Sequence, residues 1–289
     1  MDRPLFDQRR PVDDGIITNF SDIEWIWDYL YEKRLKVKSE DHPLLLAEPN
    51  MNSQENREKV VTLLFEQFHV PALYLAMQGV LAIHPSGSST GVVLDSGTSS
   101  TYAVPVYEGL ALRHECLTRG GNDLGTMSDR KLARKVKEEY CYVAQDFRRE
   151  LQLAQAGTST ETSYKLADGK SITVGRERFT TPEAFFHPQR LGLNSQMGIH
   201  HLAFGAILKS DASIQNRLYG NIVLARMHSE MAGLAPSSAN VRIIASPERK
   251  HSAWIGGSMV ASLSTFQKMC VLYEEYDEVG PTIVLRRWI

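Results

Sequence analysis

The stretch Thr90 to Gly109, "TGVVLDSGTSSTYAVPVYEG", constrains this chain more than any other. An apolar run ends in Asp95-Ser96-Gly97-Thr98-Ser99, and alternation resumes toward Tyr107, so the segment reads as strand, tight turn, strand. An Asp followed by small residues at such a bend serves two unrelated chemistries. Aspartic proteases present a catalytic carboxylate this way, and one class of ATP-binding folds holds phosphates on a similar hairpin. Proteolysis needs two carboxylates close enough to share a proton, because the mechanism depends on their pKa values splitting. No second Asp-Ser/Thr-Gly follows an apolar strand: Asp168-Gly169 sits in a polar turn, and Asp211-Ala212-Ser213 lacks the glycine. The protease reading fails.

With 289 residues, the chain has room for one large or two medium domains with sizeable cores. A formal net charge of −2 gives no electrostatic reason to expect a nucleic-acid or anionic membrane partner. Three cysteines, Cys116, Cys141 and Cys270, lie far apart without metal-ligand spacing, which suits reduced thiols in a cytosolic protein. The polar N-terminus does not read as a signal peptide, and no apolar run approaches membrane-spanning length.

Along the chain, strands and helices mix throughout, which predicts an α/β fold in two lobes. Ser21 or Asp22 can cap a first helix with Ile23, Ile26, Trp27 and Leu30 at helical spacing. "HPLLLAEP" reads as a buried strand, and Asn56 to Phe68 as an amphipathic helix with Val60, Leu63, Leu64 and Phe68 inward. An apolar strand then runs into a helix or turn around Gln78. The segment "TRGGNDLGTM", Thr118 to Met127, is Gly-rich and polar and reads as a loop before a basic helix capped by Ser128 or Asp129. "TSYKLADGKSITVG" is a hairpin signal around Asp168-Gly169. "NVRIIASPERKHSAWIGG" reads as a strand, a turn and a glycine pair, and "ASLSTFQKMCVL" as helical.

Several long blocks, in order, resemble actin and the actin-related proteins. They include "EDHPLLLAEPNMNSQENREKVVTLLFEQFHVPALYLAMQGVLAIHPSGSSTGVVLDSG", "SYKLADGKSITVGRERFTTPEAFFHP", "LAPSSANVRIIASPERKHSAWIGGSMVASLSTFQKM" and "EEYDEVGPTIVLRRWI". The resemblance runs from about Pro11 to the last residue. It implies a two-lobed actin-like (ribonuclease-H-like) ATPase fold, here incomplete, with ATP or ADP and Mg²⁺ or Ca²⁺ at a cleft. The first lobe would comprise residues 10–85 and 252–289, without the family's small flexible subdomain. The second would comprise residues 86–251, with a shortened helical subdomain inserted around 118–193.

On this resemblance the hairpin at Asp95 is a phosphate-binding turn. Consecutive N–H groups in a tight turn make an anion-binding concavity, and an Asp there can order the water shell of a divalent cation. The implied nucleotide-binding residues are Asp95, Ser96, Gly97, Thr98, Lys137, Glu138 and Lys250. Gln78 matches the glutamine that polarises the attacking water, Asp95 would share the catalytic role, and Asp95 would reach the metal through water. Several positions depart from the family. Its turn reads Asp-Ser-Gly-Asp-Gly-Val, whereas Thr98 and Ser99 stand here for the second Asp and Gly, and Tyr102 stands for a histidine. The opposing N-terminal phosphate hairpin has no counterpart, and after "NIVL" the family's Ser-Gly-Gly is replaced by Ala225 leading into "RMHSEMAGLAP". These departures predict an actin-like cytoskeletal interaction protein with a degenerate cleft and, through the lost central strand, an exposed sheet edge.

Two other readings stay open: an ATP-binding, polymerising subunit, and a truncated isoform or degenerate copy without independent activity. An ATPase of the actin type is the one candidate activity. The resemblance implies a cytoplasmic, cytoskeletal place, with a nuclear one open. It also implies partners such as actin or actin-binding proteins, docking an amphipathic helix in a hydrophobic groove that "MVASLSTFQKMCVL" partly lines. Adjacent His200 and His201 are expected to point apart on a helix and to hold no metal. No Gly-x-Ser-x-Gly elbow places a serine nucleophile.

Overall fold

The computed structural model describes residues 10–13, 15–97, 100–112, 117–120, 136, 139–157, 161–165, 171–191, 197–225 and 242–287. Internal packing divides them into two units: those up to Pro85 with those from Ala253 onward, and those from Ser86 to Ser252.

In the first unit a short hairpin, β1 (Val12–Asp13) and β2 (Ile16–Ile17), leads into helix α1 (Phe20–Tyr29). Asn19 caps α1 by accepting from the Asp22 N–H, two residues upstream of Ser21, the nearer of the two caps the sequence suggests. The inward face also differs. Ile23 and Trp27 turn to the core, but Ile26 and Leu30 are exposed and Tyr31 packs inward instead. Tyr31 lies in a π-helical turn over Leu30–Leu35, its ring centroid 5.8 Å from that of Phe68. Helix α2 (Gln54–Thr62), capped by Ser53, continues as a second π turn over Leu63–Gln67 and buries Val60, Val61, Leu64 and Phe65.

β3 (Leu44–Glu48) runs parallel to β4 (Ala72–Met77), and the strand Val271–Leu272 pairs antiparallel on the far side of β4. Both faces of this sheet are covered. Leu44, Leu46, Leu73 and Leu75 join the core under α1 and α2, while Leu45, Ala72 and Ala76 join a second cluster with Leu81, Val260 and Phe266. That double burial explains the near-continuous apolar run of β4. β4 passes directly into α3 (Gln78–Ile83), on which the helix Ser252–Ala261 rests.

In the second unit β5 (Gly91–Ser96) is a central strand. β6 (Ser100–Tyr107) pairs antiparallel on one side, followed by β7 (Leu110–Ala111), and β8 (Leu117–Gly120) also pairs with β6. Helix α4 (Phe147–Gln155), the hairpin of β9 (Thr162–Lys165) and β10 (Ser171–Val174), and α5 (Glu177–Glu183) follow. Helices α6 (Ile199–Lys209) and α7 (Ala212–Tyr219) cover one face of the main sheet. β11 (Ile222–Ala225) and β12 (Ile243–Ile244) complete it in the order β12-β11-β5-β6-β7, with β11 parallel to β5. The loop expected at Thr118 therefore begins as a strand. The residues of the expected turn at Asp168-Gly169 lie outside those described, as do 129–135, 137 and 138 of the expected basic helix. That helix does not run on to Phe147, because residues 141–146 are not helical and Asp146 caps a new helix.

Candidate functional site

The Asp95 hairpin forms because β5 is apolar enough to be wholly buried and then breaks at small polar residues. The register sets Asp95 opposite Tyr102 on β6 and opposite Ala225 on β11, and Ser96 opposite Thr101. Asp95 is 2% exposed at the end of this central strand and is not without a partner. The Ser96 hydroxyl lies 2.9 Å from that of Thr101, so it is engaged across the ladder. The Gly97 N–H donates to the Ser100 carbonyl at 2.9 Å, closing the hairpin. Only Thr98 and Ser99 lie between those two residues, and both are outside the described residues. Two-residue hairpin connections favour Asn-Gly, Asp-Gly or Gly-X pairs, and this chain offers neither a glycine nor an Asn there.

Gln78 belongs to the first unit, at the first position of α3. Its neighbour Gly79 donates its N–H to Oδ1 of the buried Asn50 at 2.7 Å, which ties the loop after β3 to the start of α3 and sets where Gln78 emerges. Lys250 lies in a 3₁₀ turn over Arg249–His251 in the second unit. It is exposed and forms no ion pair among the described residues, whereas the adjacent Arg249 is buried and donates to the Ser246 carbonyl. Lys137 and Glu138 lie outside the described residues.

A buried feature that the sequence reading missed sits in the first unit. Arg57 on α2 reaches Glu48 at the end of β3 with two parallel bonds, Nε to Oε2 at 2.7 Å and Nη2 to Oε1. Both side chains are almost fully enclosed. The signal was available: Arg57, Val60, Val61 and Leu64 share one helical face at spacings of three, four and seven, so a charge on that stripe demands a buried partner.

His200 and His201 do not point apart; their ring centroids lie 3.9 Å from each other, and His187 stands 6.2 Å from His200. Among the described residues no group of three or more His, Cys, Asp or Glu side chains is arranged to hold a metal ion. Burial, then the neighbouring His201 and His187, push the His200 imidazole below its ordinary range, and its Nδ1 is buried without a hydrogen-bond partner. His187 itself meets Glu183 at 2.9 Å. The unfolded chain therefore takes up this proton first as pH falls, and stability drops as pH passes below the unfolded value of about 6.5. We expect the unfolding midpoint to fall between pH 7.5 and 5.5, and His200→Gln to lessen that fall. An unchanged pH dependence in the variant would remove His200 as the cause.

Cys141 and Cys270 are reduced thiols. Burial pushes Cys270 up to about 11, so it is neutral at physiological pH and packs as an apolar group. No helix of the described residues is long and apolar enough to cross a membrane.

A family model described as Actin matches the chain over residues 1–127 and 115–289. The two stretches overlap at 115–127, the region where the sequence changes to Gly-rich loop character, and together they span the chain. The mixed sheets with their covering helices are those of an incomplete actin-like ATPase fold, and the chain belongs to the actin family.

Proposed function

We propose that this chain works as an actin-like structural and interaction protein whose nucleotide cleft has degenerated. The observation that carries the reading is the Asp95 hairpin. A phosphate cradle needs backbone and hydroxyl donors aimed outward, but the Gly97 N–H and the Ser96 hydroxyl bond within the hairpin. Thr98 and Ser99 replace the Asp-Gly pair that the family uses there, and ATP or ADP with Mg²⁺ or Ca²⁺ does not fit this turn well.

An interaction role is supported by apolar side chains left in water. Trp254 is 81% exposed, and Met259, Leu263, Leu272 and Tyr273 nearby in the chain are exposed as well. Met259, Leu263 and Leu272 belong to the segment that in actins partly lines a groove for amphipathic helices, so actin or actin-binding proteins are the partners this reading names. A cytoskeletal, cytoplasmic location follows from the same reading. The competing reading, an ATP-binding subunit that polymerises, is favoured by the Asn50–Gly79 bond that fixes the position of Gln78.

Thermal unfolding with and without millimolar Mg-ATP separates the two. A ligand at a hundredfold excess over its Kd adds about 2.7 kcal/mol to the folded state, a shift of roughly 5–10 °C for a chain of this size. We expect no shift. An upward shift that Asp95→Ala abolishes would establish a working cleft and sink the proposal.

A further inference from the structure

The sheet of the first unit stops at β3. Among the described residues β4 pairs with it on one side and no strand pairs with it on the other. The consequence shows in burial: Leu44, Leu45 and Leu46 are half-buried and Ala47 is exposed, whereas five of the six residues of neighbouring β4 are buried. Proteins usually blunt such an edge with lysine, a bulge or a cover. Leu44 to Ala47 carry no charge, and Pro43 and Pro49 flank the strand, which limits the open edge to five residues, about 16 Å of strand.

Beside this edge lies a cavity of about 160 Å³, walled by Val12, Ile17, Trp27, Leu46 and Leu75 with Asn52 at its polar side. A void of that size accepts a benzene-sized group. The Asn52 amide donates through Nδ2 to Oε2 of Glu48 at 3.2 Å, and because a carboxylate only accepts, this fixes the amide's orientation. Oδ1 of Asn52 is then buried with no hydrogen-bond partner. Buried acceptors are nearly always paired, so this one calls for a donor. Glu48, which lines the cavity, is paired with Arg57.

We propose that the β3 edge and this cavity form a docking site for an extended, uncharged peptide segment of another protein. The segment adds a strand beside β3, seats one aliphatic or aromatic side chain in the cavity, and donates an N–H to Oδ1 of Asn52. Main-chain bonds supply the affinity and the single anchor supplies the specificity, as in other strand-addition sites. A second copy of the chain is a poorer occupant. Its own β3 already commits Leu44 and Leu46 to one core and Leu45 to the other. Edge-to-edge pairing of two copies would therefore bring no side chain to the cavity and no donor to Asn52. The site shares no residue with the Asp95 hairpin, so this inference does not rest on the nucleotide reading.

The test is hydrogen exchange of the full chain with and without a blocked peptide, Thr-Val-Thr-Leu-Thr-Val-Thr, at millimolar concentration. The peptide is expected to slow exchange of the open-edge amides within Leu44–Ala47 by about tenfold or more. The same peptide with alternate backbone amides methylated should give no protection, a control that leaves the protein unaltered. Ala47→Lys places a charge at the exposed edge position and should abolish protection while keeping the unfolding midpoint. Absent protection at the edge, or equal protection by the methylated peptide, would overturn the proposal. So would edge amides already protected in a peptide-free dimer that light scattering detects and Ala47→Lys dissolves, since the occupant would then be a second copy.

Discussion

Gly256→Ala lowers the unfolding midpoint of this protein by on the order of 10 °C, the shift expected for a loss of about 3 kcal/mol or more. The helix Ser252–Ala261 crosses α3 so closely that a Cβ on Gly256 would stand 1.8 Å from the Leu81 carbonyl oxygen and 2.7 Å from its carbon. The obstacle is backbone inside a buried helix, not the end of a flexible side chain, so the two helices must part. Parting them opens the cluster of Leu81, Val260, Phe266 and Cys270 beneath. Gly257 provides the internal control. A Cβ there meets only Leu45 and Leu81 side-chain carbons at 3.6 Å, ordinary contact. Gly257→Ala should therefore be neutral, or stabilising by up to about 1 kcal/mol through helix propensity. Thermal unfolding of the two variants side by side checks both signs; equal effects would mean that the helix crossing is looser than described.

The same glycine pair shows where sequence patterning stops. "WIGG" reads as the end of a turn, because two glycines punctuate most chains. Here they lie within a helix, and the close approach that requires Gly256 is a tertiary fact invisible to local propensity. β8 fails to be legible for a related reason. Thr118-Arg119-Gly120 has loop composition, but pairing with Ser100–Tyr102 satisfies its backbone regardless of side chain. Where one face or both faces of an element are buried, periodicity carried the assignment. The apolar run of β4, the stripe of α2 and the alternation of β9 and β10 all stand where the sequence places them.

The candidate site was legible as a turn but not as a set of donors. Nothing in "LDSGTSSTY" says that the Ser96 hydroxyl bonds to Thr101 or that the Gly97 N–H closes onto Ser100, since both depend on the register of two strands. At "PERKHSAW" the sequence offers two adjacent cations, and resemblance favours Lys250. The 3₁₀ turn buries Arg249 and leaves Lys250 in solvent. Among the described residues β3 in the first unit is an open sheet edge. β5, the strand of the Asp95 hairpin, is paired on both sides and should exchange its amides slowly.

Arg57→Ala is the second large effect, a loss of about 3–5 kcal/mol, because it strands the Glu48 carboxylate in a site it cannot leave. The Arg57 and Glu48 side chains are 7% and 4% exposed, and the carboxylate also accepts from the Asn52 amide. The pair also holds the end of β3 against α2, so its failure loosens the wall of the cavity beside the open edge. A plain count of salt bridges would credit this one as a source of stability, yet two charges taken out of water need not gain anything over an apolar pair of the same volume. The double variant Arg57→Met with Glu48→Leu distinguishes the two views. If the ion pair mainly avoids an unpaired charge, the double variant recovers most of what Arg57→Ala loses, and the coupling energy between the sites is large and of opposite sign to the single losses. If the double variant is as unstable as either single change, the bidentate geometry itself stabilises the unit. Chemical denaturation of the four proteins in the cycle, with unchanged dependence on denaturant, provides the measurement. We expect the recovery.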